Sequence, residues 1–258
     1  MNEPKKRRLR QPRVAEIVAG KLRSRILSGA LSDGDQLPKQ DELMNEFGVS
    51  PPAIREAFRI LETEGLITVL RGNVGGAIIH LPQPGNAAYM LGLVLQSRQV
   101  PLLDLIEAMR RLEPACAAQA ALRPDRESTI LPRLRENIDA SMAAIDDPDR
   151  FIALARAFHT ELVSDCGNAT MALVVGALEQ LWSAQVDRFA LERSIHGSFA
   201  DRSVRLSLAR EHERIYRAIA EGDAHSAERA IHEHYSGGGE RRHGFDTSVT
   251  VMANVQKL

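Results

Sequence analysis

Three histidines set the first chemical question. His159 follows Phe158, His212 follows Glu211, and His234 lies near the end of a stretch that begins at Asp223, each inside a segment patterned as a helix. Imidazole changes charge near neutral pH, and neutral imidazoles from three helices can hold a divalent transition metal, zinc or nickel, with coordination positions left open. Spacing alone leaves two readings, a joint metal site or histidines present by chance, since His80, His196, His225, His232 and His243 share no such pattern. A second chemistry sits at the front of the chain. Lys5, Lys6, Arg7, Arg8, Arg10 and Arg13 crowd the first 13 residues, where a flexible basic arm can neutralise phosphates. Cys116 and Cys166 are too few and too far apart in sequence for a thiolate zinc site or a disulfide framework. A reducing compartment, the cytoplasm, fits that usage.

The elements that must position these groups are legible in part. The 258 residues, 44% hydrophobic and 26% charged, are enough for one large domain or two, and the composition is that of a globular chain. Residues 1 to 80 carry 13 basic and 10 acidic side chains and the remainder 20 and 24, so the excess of positive charge lies in front. No apolar run is long enough to span a membrane, and the aromatic content of 4% argues against gripping single strands by base stacking.

Val14, Ile17, Val18, Leu22 and Ile26 recur at helical steps, which predicts a helix ending at Gly29. After turn chemistry from Leu31 to Pro38, a short helix carries Leu43 and Phe47 and stops at Gly48. Ser50 then caps a third helix that starts on Pro51 and Pro52 and buries Ile54, Ala57, Ile60 and Leu61. Leu66 to Leu70 and Ala77 to His80 read as strands around a turn at Arg71, Gly72 and Asn73. Three helices and a hairpin make a winged helix-turn-helix over 14–80, with Arg71 at a glycine-rich tip able to approach a duplex.

A linker is expected at 81–85, where Pro82 and Pro84 interrupt the pattern. Helix then follows helix: from Pro101 to about Arg123, Asp125 to Ile145, Asp149 to Cys166, Asn168 through Trp182, Ser203 to Gly222 and Asp223 to Tyr235. The fold class is therefore mainly α, with a C-terminal all-helical bundle of six or seven helices over 86–236. Gly237, Gly238 and Gly239 predict a flexible tail over 237–258.

With those elements in place, residues 14 to 80 resemble the DNA-binding domain of GntR-type bacterial transcription regulators. The likeness lies in Phe47-Gly48-Val49-Ser50, Ile54-Arg55-Glu56-Ala57 and Leu61-Glu62-Thr63-Glu64-Gly65-Leu66-Ile67. It implies that Ser50 and Arg55 touch an operator from the recognition helix and that Arg71 and Gly72 enter the minor groove. Pro51 stands where many members have an arginine, and Asp41 where a basic residue often follows, so Lys39 and Gln40 are taken as the residues that contribute instead. Residues 86 to 236 resemble the ligand-binding domain of the FadR branch. The matching runs are Arg111-Leu112-Glu113-Pro114, Phe158-His159, Gly167-Asn168, Glu211-His212 and Ala230-Ile231 before His234.

By that resemblance His159, His212 and His234 are metal ligands, and Ala155 replaces an aspartate ligand one turn before His159. Met109 stands where the family often has an arginine for an effector carboxylate, which leaves Arg110 and Arg111 as effector-binding candidates. The implied protein is a homodimeric, cytoplasmic transcription regulator whose grip on double-stranded DNA is set by a small-molecule effector, an organic acid or related metabolite. Two alternatives come from other classes. A metal-dependent hydrolase would use the same histidines, but no carboxylate has a spacing that ties it to them, so a base is missing. An architectural DNA-binding protein would need no effector at all.

Overall fold

The computed structural model describes residues 14–70, 76–82, 84–193, 201–236 and 246–253. The chain divides into two compact units, Met1–Gln83 and Pro84–Leu258.

The first unit is built from α1 (Val14–Leu27), α2 (Gln40–Phe47), α3 (Pro51–Thr63), β1 (Ile67–Val69) and β2 (Ala77–Ile79). Val18, Leu22 and Ile26 of α1 meet Leu43 of α2, Ile54, Phe58 and Leu61 of α3 and Ile67 and Ile79 of the hairpin in one core. The apolar stripe of α1 differs from expectation. Val14 and Ile17 are about half exposed, and Ala15 and Ala19 complete the buried face, because a step of 100° per residue aligns them with Val18, Leu22 and Ile26. Gly48 ends α2 with a φ of 62°, a left-handed conformation that glycine adopts without strain. The strands pair antiparallel, with Thr68 opposite Ile78. The turn segment before α2 also joins the sheet: Leu37 donates to the Ala77 carbonyl at 2.8 Å and Ile79 to that of Asp35 at 2.8 Å. A third extended segment therefore steadies a hairpin that would be marginal alone.

The second unit contains seven helices among the described residues: α4 (Pro84–Ser97), α5 (Leu102–Leu122), α6 (Ile130–Ala143), α7 (Pro148–Ser164), α8 (Ala169–Arg193), α9 (Arg202–Glu221) and α10 (Ala224–Ser236). Two expectations need correction here. Pro84 and Gly85, assigned to the linker, are the opening residues of α4, because a proline in the first helical turn lacks only an amide hydrogen that would have no partner there. The tail is likewise ordered in part. Thr250 bridges Pro101, Val251 is fully buried, and the Leu102 and Leu103 amides at the start of α5 donate to the Val249 and Thr247 carbonyls at 2.8 and 3.0 Å. Those amides belong to a first helical turn and have no partner within the helix, so the chain end satisfies them.

Gln185 of α8 holds the same segment from both sides, donating to the Met252 carbonyl at 2.8 Å and accepting from its amide at 3.1 Å. Gly92 of α4 leaves room for it, since a Cβ there would stand 3.0 Å from the Ala253 Cα. The main core of the unit joins Ala117 and Ala121 of α5, Leu134 of α6, Phe158 and Leu162 of α7, Ile215 and Ile219 of α9 and Ile231 of α10. A second core joins Ala88 of α4, Leu105 of α5 and Leu181 of α8 to Val251.

Candidate functional site

Helices α5, α7, α8, α9 and α10 surround a cavity of about 110 Å³. His159 of α7, His212 of α9 and His234 of α10 converge on it. Their ring centroids form a nearly equilateral triangle with sides of 5.1, 4.9 and 5.1 Å. A ring nitrogen from each lies within 4.8 Å of the other two. Three bonds of about 2.1 Å to one zinc ion would put those nitrogens roughly 3.3 Å apart, a closure that small rotations of the rings supply.

The imidazoles are oriented from behind. Nδ1 of His159 stands 2.5 Å from Oε1 of Glu113 on α5, whose other oxygen accepts from the Tyr235 hydroxyl. Nδ1 of His234 stands 2.9 Å from Oε2 of Glu211, whose other oxygen accepts from Ser207 at 3.2 Å. With Nδ1–H donated to a carboxylate, Nε2 keeps its lone pair for a ligand, the arrangement that raises basicity and fixes ring orientation at metal sites. The His212 ring is stacked on Phe158 at 4.1 Å with 5° between the planes.

Burial pushes the His234 imidazole below its ordinary value, although Glu211 pulls the other way, so the ring is neutral near pH 7. Burial alone would raise the Glu113 carboxyl, but the His159 ring beside it, with the Tyr235 hydroxyl, holds it below the usual carboxylate range. Tyr235 is pushed well up by burial and by the neighbouring Glu113 charge, so its hydroxyl stays a donor. Spacing in the sequence ties no carboxylate to the histidines, but the fold does. Glu113 and Glu211 both pair with them, across helix contacts separated by 46 and 23 residues that no local spacing reveals.

Other residues divide. Ala155 and Met109 line the cavity, where the family resemblance places an aspartate and an arginine. Arg110 and Arg111 do not line it. Arg110 donates to the Tyr235 carbonyl at 3.3 Å, Arg111 pairs with Glu107 at 3.1 Å on the exposed side of α5, and both border a separate, open depression. The cation at the cavity is Arg156, one residue after Ala155, which sequence reasoning missed; it donates to Asp187 at 2.7 Å. Glu179, Trp182 and Ser183 of α8 were missed as well, since that helix carries no motif.

In the first unit, Ser50 sits at the N-cap of α3, but its side chain makes no capping bond. Pro52 has no amide to offer, and the Ala53 amide bonds to the Ser50 carbonyl at 3.0 Å, so the exposed hydroxyl remains available. Arg55 projects from the exposed face of α3 without an ion-pair partner among the described residues, whereas Arg59 pairs with Glu56. Lys39 is exposed at the N-cap of α2, its amide donating to Glu42 at 3.1 Å, with Gln40 next to it. Arg71 and Gly72 lie outside the described residues.

Comparison with known proteins accounts for both units. Residues 14–74 match the bacterial regulatory proteins of the gntR family, and residues 104–237 match the FCD domain. The chain is 27% identical to the HTH-type transcriptional repressor NanR of Klebsiella aerogenes over 90% of its own length and 86% of that protein's. It is 25% identical to the Glc operon transcriptional activator of Escherichia coli K12, over 86% of this chain and 85% of that one. The solved structure of Streptococcus agalactiae GntR superposes with a TM-score of 0.65 at 25% identity, covering 86% of this chain and 97% of that chain. With a helix-turn-helix unit of one kind and an effector-binding unit of the other, the chain belongs to the GntR family of DNA-binding transcription regulators that carry an FCD domain.

Proposed function

We propose that the chain acts in the cytoplasm as a homodimer that grips a two-half operator, and that a small organic acid or related metabolite in the histidine cavity changes that grip. The observation that carries the reading is the triangle of imidazoles with Nδ1 of His159 and of His234 each engaged by a buried carboxylate. This donor set fits a divalent transition metal, zinc or nickel, held by His159, His212 and His234, and such an ion would supply a positive charge with open positions for an acidic ligand. Glu113 and Glu211 hold the ring orientation and offset the charge from behind. The apolar wall, including Met109, Trp182 and Leu208, excludes water from the rest of the ligand.

In the first unit, Arg55 and Ser50 would face base edges and phosphate in the major groove, Lys39 and Gln40 the flanking backbone, and Arg71 with Gly72 the minor groove. The ligand acts only through its difference in affinity between the DNA-competent and released states. Binding rather than hydrolysis is supported by the relatives, both transcription regulators, and by the engagement of both oxygens of Glu113 and of Glu211 by neighbouring side chains.

The test is a gel-shift titration against the DNA upstream of the chain's own coding region, with and without small acids, alongside elemental analysis of the purified protein. Retarded DNA that a small acid releases or tightens supports the reading. No specific retardation, or indifference to every acid in a protein free of metal, defeats it.

A further inference from the structure

The histidine cavity contains a polar group that its walls leave unused. Glu179 of α8 is 5% exposed and lines the cavity, and neither of its carboxyl oxygens has a hydrogen-bond partner. Buried polar groups are almost always paired, so an unpaired one calls for a partner from outside the chain. The groups that act on it, the Glu113 carboxyl and the Thr160 hydroxyl, are each committed to other partners. The Thr160 hydroxyl donates to the Arg156 carbonyl at 3.4 Å, and Glu113 receives His159 and Tyr235 on its two oxygens. Arg156 is held by Asp187.

The position is specific. An oxygen of Glu179 lies within 4.8 Å of ligand atoms of Glu113 and His159, while the histidine triangle, which shares His159 with that group, does not include it. Glu179 therefore stands beside the imidazoles rather than among them. A carboxyl keeps an acceptor oxygen whether or not it carries a proton, so the missing partner is a donor.

We propose that Glu179 determines the specificity of the effector pocket, selecting a small amphipathic acid that carries an N–H or O–H donor, an amino or hydroxy acid, over a plain carboxylic acid. The inference rests on the reading of the cavity as the effector site. A cavity of about 110 Å³ has room for on the order of ten heavy atoms. The acid end of such a ligand faces the histidines, its donor faces Glu179, and the carbon chain between them lies against the apolar wall. Pairing a buried carboxyl that is otherwise left unsatisfied contributes enough for a preference of about tenfold.

Trp182 is the only tryptophan of the chain and lines the cavity, which makes its emission a direct reporter. Pentanoate, 5-hydroxypentanoate and 5-aminopentanoate, alike except at the far end, are titrated into the full chain supplied with zinc. The two substituted acids are expected to bind about tenfold more tightly than pentanoate, and Glu179→Leu to abolish the difference. Glu179→Gln, which keeps an acceptor oxygen but no charge, decides the matter if the leucine variant does not fold: the amino acid loses its advantage while the hydroxy acid retains one. Equal binding of the three acids, or a preference that survives in Glu179→Leu or is wholly unchanged in Glu179→Gln, overturns the role of Glu179 and leaves the effector cavity standing. If no acid alters Trp182 emission, the cavity reading falls and the inference with it.

Discussion

Nδ1 of His159 and Oε1 of Glu113 lie 2.5 Å apart, joining α7 to α5 directly behind the histidine triangle. The contact decides which nitrogen of the ring is left for a ligand. Replacement of Glu113 by glutamine keeps the shape but removes the negative charge. Zinc affinity, measured by competition with a chelating dye, should fall about 10- to 100-fold. An unchanged affinity would mean that Glu113 orients nothing.

His212→Ala removes one corner of the triangle without touching either carboxylate pair. Elemental analysis should show metal in the parent protein and a marked loss in the variant, since two imidazoles no longer close a three-ligand site. A parent protein with no metal after growth in zinc and nickel would dispose of the centre.

Arg55→Ala should weaken operator binding by about 1–3 kcal/mol at moderate salt if the guanidinium reads a base, and should relax preference at one operator position. Gel shifts on matched operators measure both. A uniform weakening across all sequences, with a shallower salt dependence, would reassign Arg55 to a phosphate.

Glu179 gives a stability prediction with a definite sign. Its burial, with the Glu113 charge beside it, raises its carboxyl well above the ordinary value, so the folded chain holds a proton there that the unfolded chain releases. Stability from this group is present below the unfolded value near 4.5 and is lost as pH rises toward the folded value. Glu179→Gln removes that loss. In metal-free protein its melting temperature should exceed the parent's by a few degrees at pH 8 and by less at pH 5. His234 acts in the opposite direction in both proteins: its value is lowered on folding, so acidification below about 6.5 erodes stability. A difference between variant and parent that shrinks as pH rises would contradict the assignment.

Gly92→Val tests the docked chain end. A Cβ at Gly92 would stand 2.8 Å from a Leu181 methyl carbon and 3.0 Å from the Ala253 backbone, so α4, α8 and the docked segment 246–253, a strap against them, cannot all stay in place. The overpacking should cost about 1–3 kcal/mol in urea denaturation. Little or no loss would show that the strap yields freely.

The sequence disclosed what repeats locally. Helical periodicity, prolines at helix starts and glycines at helix ends placed six of the seven helices of the second unit, and Gly48 and Ser50 bracketed the turn before α3. Periodicity misplaced Val14 and Ile17, which recur at helical steps but fall at the edge and on the far side of the buried face of α1. It missed α4, whose proline start reads equally well as a linker, and it missed the strap, whose order comes from Gln185 and the unsatisfied amides of α5. At the site, the three histidines were readable from resemblance. Glu113, Glu211, Glu179 and Arg156 acquire their positions only when helices pack, and no one-dimensional spacing encodes a contact from α5 to α7 or from α8 into a cavity.

Phe158 belongs to the main core of the helical unit and also lies flat against His212, so an ion that fixes the imidazoles fixes part of that core. The core of the winged unit is assembled from a separate set of side chains. If zinc binds, it should therefore raise the temperature at which the helical core melts, and calorimetry with and without the ion measures the shift.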